Sequence, residues 1–158
     1  MRSPNDPLWP YPTGHSNQQE ILAAAALPAA GAWTTPVTQL SAYAQTLHLH
    51  FTYTRGGVGG AFDYYLEISP FSATATVPAG QQAWHRQPIY AAGAVVPGAD
   101  TQSDLQREYY TYQATGAAVE TFAVDVPLSG NVERYRIVAR ESGAVGTPGT
   151  LGVIGELA

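Results

Sequence analysis

The chain contains no cysteine, which excludes disulfides, thiolate metal sites and a cysteine nucleophile. It contains no lysine, so all seven basic residues are arginines and a Schiff-base lysine is excluded. Charge of either sign is scarce: 12% of the 158 residues are charged, about half the usual share. A surface this poor in charge implies that a partner covers part of it. The net charge of −5 leaves no basic patch, and so argues against a nucleic-acid partner. No apolar run reaches the ~18 residues of a spanning helix, so no membrane partner is expected. There is no Asn-x-Ser/Thr sequon, no G-x-S-x-G elbow and no phosphate loop. These absences leave no catalytic residue or cofactor to nominate, and the chain reads as non-enzymatic.

What is present is punctuation and aromatic side chains: 16 glycines, 12 prolines and 10 tyrosines. Residues 1–19 form a separate segment with prolines at 4, 7, 10 and 12, which bar a helix and favour extended backbone. Trp9 and Tyr11 each precede a proline, so this segment reads as an extended arm that anchors on a neighbouring subunit. The stretch 21–30 has the composition of a leader-peptide core. The segment before it carries Asp6, Glu20 and four prolines, and the expected reading is a first strand.

From residue 20 to 158 short period-2 segments alternate with Gly/Pro/Asn/Asp/Ser turns. Strands are predicted over 20–27, 36–40, 43–54, 61–69, 83–91, 107–114, 120–127, 133–141 and 150–157. The longest loop is 92–106, with one helical turn near 100–105. Eight or nine such strands predict an all-β, antiparallel, jelly-roll-like β-sandwich preceded by the arm.

Apolar alternation places Leu47, Leu49, Phe51 and Tyr53 on one face, and Phe62, Tyr64, Leu66 and Ile68 on one face. Closing the two strands on the loop Arg55–Gly60 predicts a hairpin. It would set Tyr53 opposite Phe62, Phe51 opposite Tyr64, Leu49 opposite Leu66 and Leu47 opposite Ile68. The same register brings His48 and His50 beside Glu67, the one candidate metal set in the chain. Further along, Phe122, Val124 and Val126 face inward, as do Tyr135, Ile137 and Ala139. Arg134, Arg136 and Arg140 then share the outer face, as cross-strand ion pairs or an interface. Gly149, Gly152 and Gly155 predict close backbone approach or a bulge in the last strand. Trp84, Tyr90, Tyr110 and Tyr112 are candidates for contact with a protein partner or a glycan. Tyr109 and Tyr110 must point to opposite faces, so only part of this cluster can line one patch.

The order Tyr64-Tyr-Leu-Glu-Ile-Ser69, then Ala83-Trp-His-Arg-Gln-Pro-Ile-Tyr90, then Arg134-Tyr-Arg-Ile-Val-Ala-Arg-Glu-Ser-Gly143, closing with Gly146-Thr-Pro-Gly-Thr-Leu-Gly-Val153, carries a resemblance. It resembles the small β-sandwich virion proteins of tailed bacteriophages, including capsid decoration (cement) proteins. The likeness runs over about residues 40–157. It implies a homo-oligomer, often a trimer, bound to the major capsid protein of an icosahedral shell and assembled in the host cytoplasm. The alternatives are a tail, fibre or neck protein of a phage, and a carbohydrate-binding module.

Overall fold

The computed structural model describes residues 18–28, 32–41, 44–87, 109–116, 118–128, 131–142 and 146–158. Nine strands run through them: β1 (Gln18–Ala26), β2 (Gln39–Leu40), β3 (Thr46–Thr54), β4 (Ala61–Ser69), β5 (His85–Gln87), β6 (Tyr110–Gln113), β7 (Val119–Pro127), β8 (Arg134–Glu141) and β9 (Thr150–Leu157). They build two antiparallel sheets and no helix, the all-β sandwich expected from the alternation. One sheet, called here the A sheet, has the order β1-β9-β3-β7. The other, the B sheet, has the order β2-β8-β4-β5, with β6 also paired to β4. The pairs are nested: β1 with β9, β2 with β8, β3 with β7, and β4 with β5 and β6.

The predicted β3–β4 hairpin does not form. β3 bonds β7 and β9, whereas β4 bonds β8, β5 and β6. Arg55–Gly60 therefore crosses from one sheet to the other. Alternation fixed which side chains face inward, and that part holds for both strands. The expected partners Tyr53 and Phe62 do meet, with ring centroids 4.9 Å apart, and so do Phe51 and Tyr64 at 5.0 Å. They meet across the sandwich rather than along a ladder.

The core between the sheets is aromatic. Tyr53, Tyr64, Tyr135, Phe51 and Phe62 are fully buried, beside Leu47, Leu49, Leu66, Ile137 and Leu151. Each such apolar side chain contributes ~1.5–3 kcal/mol relative to exposure. Phe122 lies flat between Phe51 (4.6 Å, 3°) and Tyr112 (4.3 Å, 9°), closing the core at the β7 side.

Two carboxylates are drawn into this interior. Glu141 Oε2 accepts from the Tyr53 hydroxyl (2.9 Å) and the Gly149 N–H (2.8 Å), and its Oε1 accepts from the Ala61 N–H (3.1 Å). One side chain on β8 thereby ties β3, the start of β4 and the loop before β9. Glu120 accepts from the Tyr112 hydroxyl (2.6 Å), the Thr115 N–H (2.7 Å) and hydroxyl (3.1 Å), and the Gly116 N–H (3.0 Å).

Gly149, just before β9, and Gly155 within it serve close approach, as expected, whereas a Cβ on Gly152 would meet only Ala24 at 3.4 Å. A Cβ on Gly149 would run into the Tyr53 ring, and one on Gly155 would lie 2.7 Å from Ile21 Cδ1. The bulges themselves fall in the partner strand: β1 shifts register between Glu20 and Leu22 and again between Leu22 and Ala25. Gln18 and Gln19, expected in the arm, are the first residues of β1.

Candidate functional site

The outer face of the B sheet brings together four of the chain's seven arginines and several aromatic side chains. Period-2 alternation sends Asp63, Tyr65 and Glu67 of β4 outward, together with Arg134, Arg136 and Arg140 of β8. The register sets Asp63 opposite Arg140 and Glu67 opposite Arg136, so each acid meets an arginine on the neighbouring strand. Asp63 is buried and accepts from Arg140 Nε (2.9 Å) and the Thr111 hydroxyl (2.8 Å). Glu67 Oε2 accepts from both Nε and an η nitrogen of Arg136, each at 2.7 Å. Its Oε1 lies 3.5 Å from Arg86 of β5, on its other side.

Aromatic rings lie beside these guanidinium groups. Arg86 sits 3.3 Å above the Tyr65 ring centre, and Arg140 lies 4.2 Å from Trp33 and 4.9 Å from Tyr109. Arg136 and Arg134 lie 4.1 and 5.1 Å from Trp84. Trp33 packs edge-on to Tyr65 (4.8 Å) and Tyr109 (5.7 Å). It reaches this face because Thr34 bonds the main chain of Ala139 at the β8 edge. Arg134 Nε is held by the Phe71 carbonyl at 2.5 Å. Burial pushes the Tyr65 hydroxyl above its ordinary range, and the charge of Glu67 adds to this. The charges of Arg86 and Arg136 act in the opposite direction.

Four of the seven arginines thus share one face with two carboxylates, an excess of two positive charges in a chain of net charge −5. Each guanidinium is held by a carboxylate, a carbonyl or a ring, and each acid by an arginine. Groups held this way present guanidinium donors and rings in fixed positions.

Of the residues singled out from the sequence, Trp84 and the arginine row belong to this face. Tyr110 and Tyr112 do not: both are buried, tilted against Tyr64 and Phe62 in the core, which corrects their assignment as surface contacts. Alternation turns Tyr109 outward instead. The set His48, His50 and Glu67 is also taken apart. The two histidines lie on the outer face of the A sheet and Glu67 on the outer face of the B sheet, because β3 and β4 belong to different sheets. His48 Nδ1 is 2.6 Å from Asp125 Oδ1, and His50 is exposed. Among the described residues no three His, Asp or Glu side chains converge to hold a metal. Trp9, Tyr11 and Tyr90 lie outside the described residues.

Trp33, Tyr65 and Arg86 were not singled out from the sequence, and Tyr109 entered only as the member of the tyrosine cluster facing away from Tyr110. Tyr65 and Tyr109 carry a signal, since each falls out of phase with a buried neighbour. Trp33 sits in a segment with no periodicity and carries none.

Compared with known proteins, the chain matches no family model, no curated protein and no solved structure.

Proposed function

We propose that this chain is a non-enzymatic virion structural protein: a capsid decoration protein with a jelly-roll fold that binds the phage shell as an oligomer. The nested strand order, β1-β9-β3-β7 over β2-β8-β4-β5 and β6, is the observation that carries the reading. Nested antiparallel pairs rolled into two sheets are the jelly-roll arrangement, which recurs in viral capsid and lectin domains. Fold alone assigns no function, so the choice between those two rests on the face chemistry.

Arginine, tryptophan and tyrosine are the side chains that anchor protein interfaces, and lysine is depleted there. The outer face of the B sheet is built from those anchors. A sugar needs a bare aromatic face to stack on. Here Arg134 and Arg136 lie over Trp84, Arg140 over Trp33 and Arg86 over Tyr65. This favours a protein partner with acidic and carbonyl groups, for which the major capsid protein is the proposed source. Binding that recognises only the assembled shell stabilises the lattice by mass action, and several copies on one lattice add avidity.

The test is co-sedimentation of the full chain with empty capsids of its own phage, with tails as a second target. Trp84→Ala combined with Arg136→Ala should abolish capsid binding while leaving the chain folded by circular dichroism. Unchanged binding by that variant refutes the assignment of the face. Binding to tails alone moves the protein to the tail, and binding on a glycan array that is lost in Trp84→Ala supports the carbohydrate reading instead.

A further inference from the structure

We propose that the edge of β7, unpaired among the described residues, is a self-association site, at which a second copy of this chain adds its own β7 antiparallel across a twofold axis through Ala123. The edges of the two sheets differ sharply. Among the described residues β2, β5 and β6 are two, three and four residues long, and β1 is broken by two register shifts. Short and bulged edges are the usual devices that prevent strand addition. β7 has neither. Its nine residues pair with β3 without a register shift.

The bonding phase of β7 follows from its two ends. Leu128 donates to Gln45 and Arg55 donates to Ala118, so the even-numbered residues bond β3. The main-chain groups of Val119, Thr121, Ala123 and Asp125 then point away from the sheet. No hydrogen bond among the described residues takes them up. Of the remaining devices against addition, β7 carries only the charge of Asp125 and, at its last position, Pro127. Glu120 is consumed by Thr115, Gly116 and Tyr112, which leaves Asp125 as the one outward-facing charge of the strand.

The occupant is chosen by self-complementarity. With Ala123 on the axis, Ala123 exchanges two bonds with its copy, and Thr121 exchanges two with Asp125 of the second copy, on each side. Asp125 then faces a threonine. A parallel, in-register copy would set Asp125 against Asp125, which repulsion disfavours. Pro127 lacks an N–H and falls at the last position, where its carbonyl still accepts from Val119 of the copy. The two A sheets become one eight-stranded sheet, the general mode of strand addition. This contact is independent of the shell-binding reading, because it uses the opposite sheet and needs no capsid.

Sedimentation equilibrium of the full chain tests it, up to about 1 mM, since an edge contact this small belongs with weak interfaces. A monomer–dimer equilibrium is expected. Thr121→Asp should raise the dimer Kd by ~10-fold, because it places like charges opposite each other twice per dimer. Thr121→Arg should lower the Kd by attraction to Asp125 of the copy. Thr121 is exposed on the solvent face, so both variants are expected to fold, and circular dichroism checks this. A strictly monomeric chain over that range overturns the proposal, as does association indifferent to both substitutions. A higher oligomer whose formation ignores residue 121 also overturns it, and would place self-association on another surface.

Discussion

Removing the Glu141 carboxylate should cost more stability than any other single polar change in the interior. Its oxygens accept from three groups that have left water: the Tyr53 hydroxyl and the N–H groups of Ala61 and Gly149. Leaving a buried donor unpaired costs about 1–3 kcal/mol each. Glu141→Ala strands all three, and a water entering the vacated space recovers part of that. The expected loss is ~3–5 kcal/mol, against a total of about 5–15 kcal/mol for a domain. Glu141→Gln discriminates the mechanism. An amide can turn its oxygen to one side only, and its NH2 group must then face a backbone N–H. The Tyr53 hydroxyl can rotate to accept, but a backbone N–H cannot, so one donor stays stranded and the loss should be about 1–3 kcal/mol. Urea unfolding at pH 7 measures both, with m compared so that a change in Cm reads as stability. The cycle formed by Tyr53→Phe and Glu141→Ala should show a coupling of ~0.5–3 kcal/mol. Equal losses for Ala and Gln, or an Ala loss below about 1 kcal/mol, refute the view that this carboxylate joins the sheets through its acceptors.

Tyr64 offers the opposite sign: its hydroxyl is buried with no partner among the described residues, so Tyr64→Phe should raise stability by ~1 kcal/mol, read as a higher Cm. Gly149→Ala should lower Cm by the equivalent of ~1–3 kcal/mol, since the added methyl meets the immobile Tyr53 ring. Burial pushes the Glu120 carboxyl up, but its hydrogen bonds to Tyr112, Gly116 and Thr115 outweigh this and hold it below the ordinary value. A depressed carboxylate contributes stability above the ordinary range and loses it as pH falls through its folded value. The Tm gap between wild type and Glu120→Gln should therefore be widest near neutral pH and narrow in acid; a constant gap contradicts this. Tyr53, Tyr64 and Tyr135 are raised by burial, and Tyr112 is pushed up to about 12 by burial and Glu120. Raised phenols stabilise fully below their ordinary value of 10 and lose that contribution above it. Absorbance at about 295 nm should thus show their ionisation only together with unfolding in alkali.

The strands were legible because two signals agreed along most of the chain: alternation of apolar side chains, and glycine, proline or serine where it stops. The bounds of β4 and β9 coincide with those expected, and β7 and β8 differ by one residue at one end. The pairing of β3 was not legible. Alternation states which face a residue occupies and is silent about which strand lies beside it. Chain neighbours usually pair, and a short glycine-rich connection strengthens that expectation. Here the same glycines serve a different contact. A Cβ on Gly56 would collide with the main chain at Thr147 and Pro148, so this loop lies against the loop before β9 as it crosses between sheets. The error then propagated to the histidines. Once β3 and β4 are in different sheets, His48 and His50 cannot share a face with Glu67. The tyrosines were misjudged by one residue for a related reason. Parity separates Tyr109 from Tyr110, but only the partner strand tells which parity is inside, and Tyr110 proves to be opposite Tyr64 on the buried side.

Scarcity of charge has a different meaning once the charges are placed. A chain with few charges and an apolar surface would show contiguous exposed hydrophobic area. The large exposed hydrophobics among the described residues are Val37, Leu40, Val58, Val119 and Ile154, spread over the segment before β2, β2 itself, the β3–β4 loop, the β7 edge and the interior strand β9. Instead, charge is concentrated. Glu141, Glu120 and Asp63 are drawn inside or nearly so, and Arg86, Arg134, Arg136 and Arg140 crowd one face. The outer face of the A sheet carries His48, His50, Val119 and Ile154 among small side chains, with Glu20, Asp125 and Glu156 toward one end. The two faces therefore differ in kind: one carries guanidinium groups beside aromatic rings, the other carries the two histidines among mostly small side chains and ends in the regular β7 edge. If the arginine face served only the fold, Arg136→Ala should lower stability as much as it lowers partner binding. The pair is mostly covered but Glu67 keeps Arg86 beside it, so the stability cost should stay within about 2 kcal/mol. A larger loss, with partner binding intact, would return the whole face to a structural role.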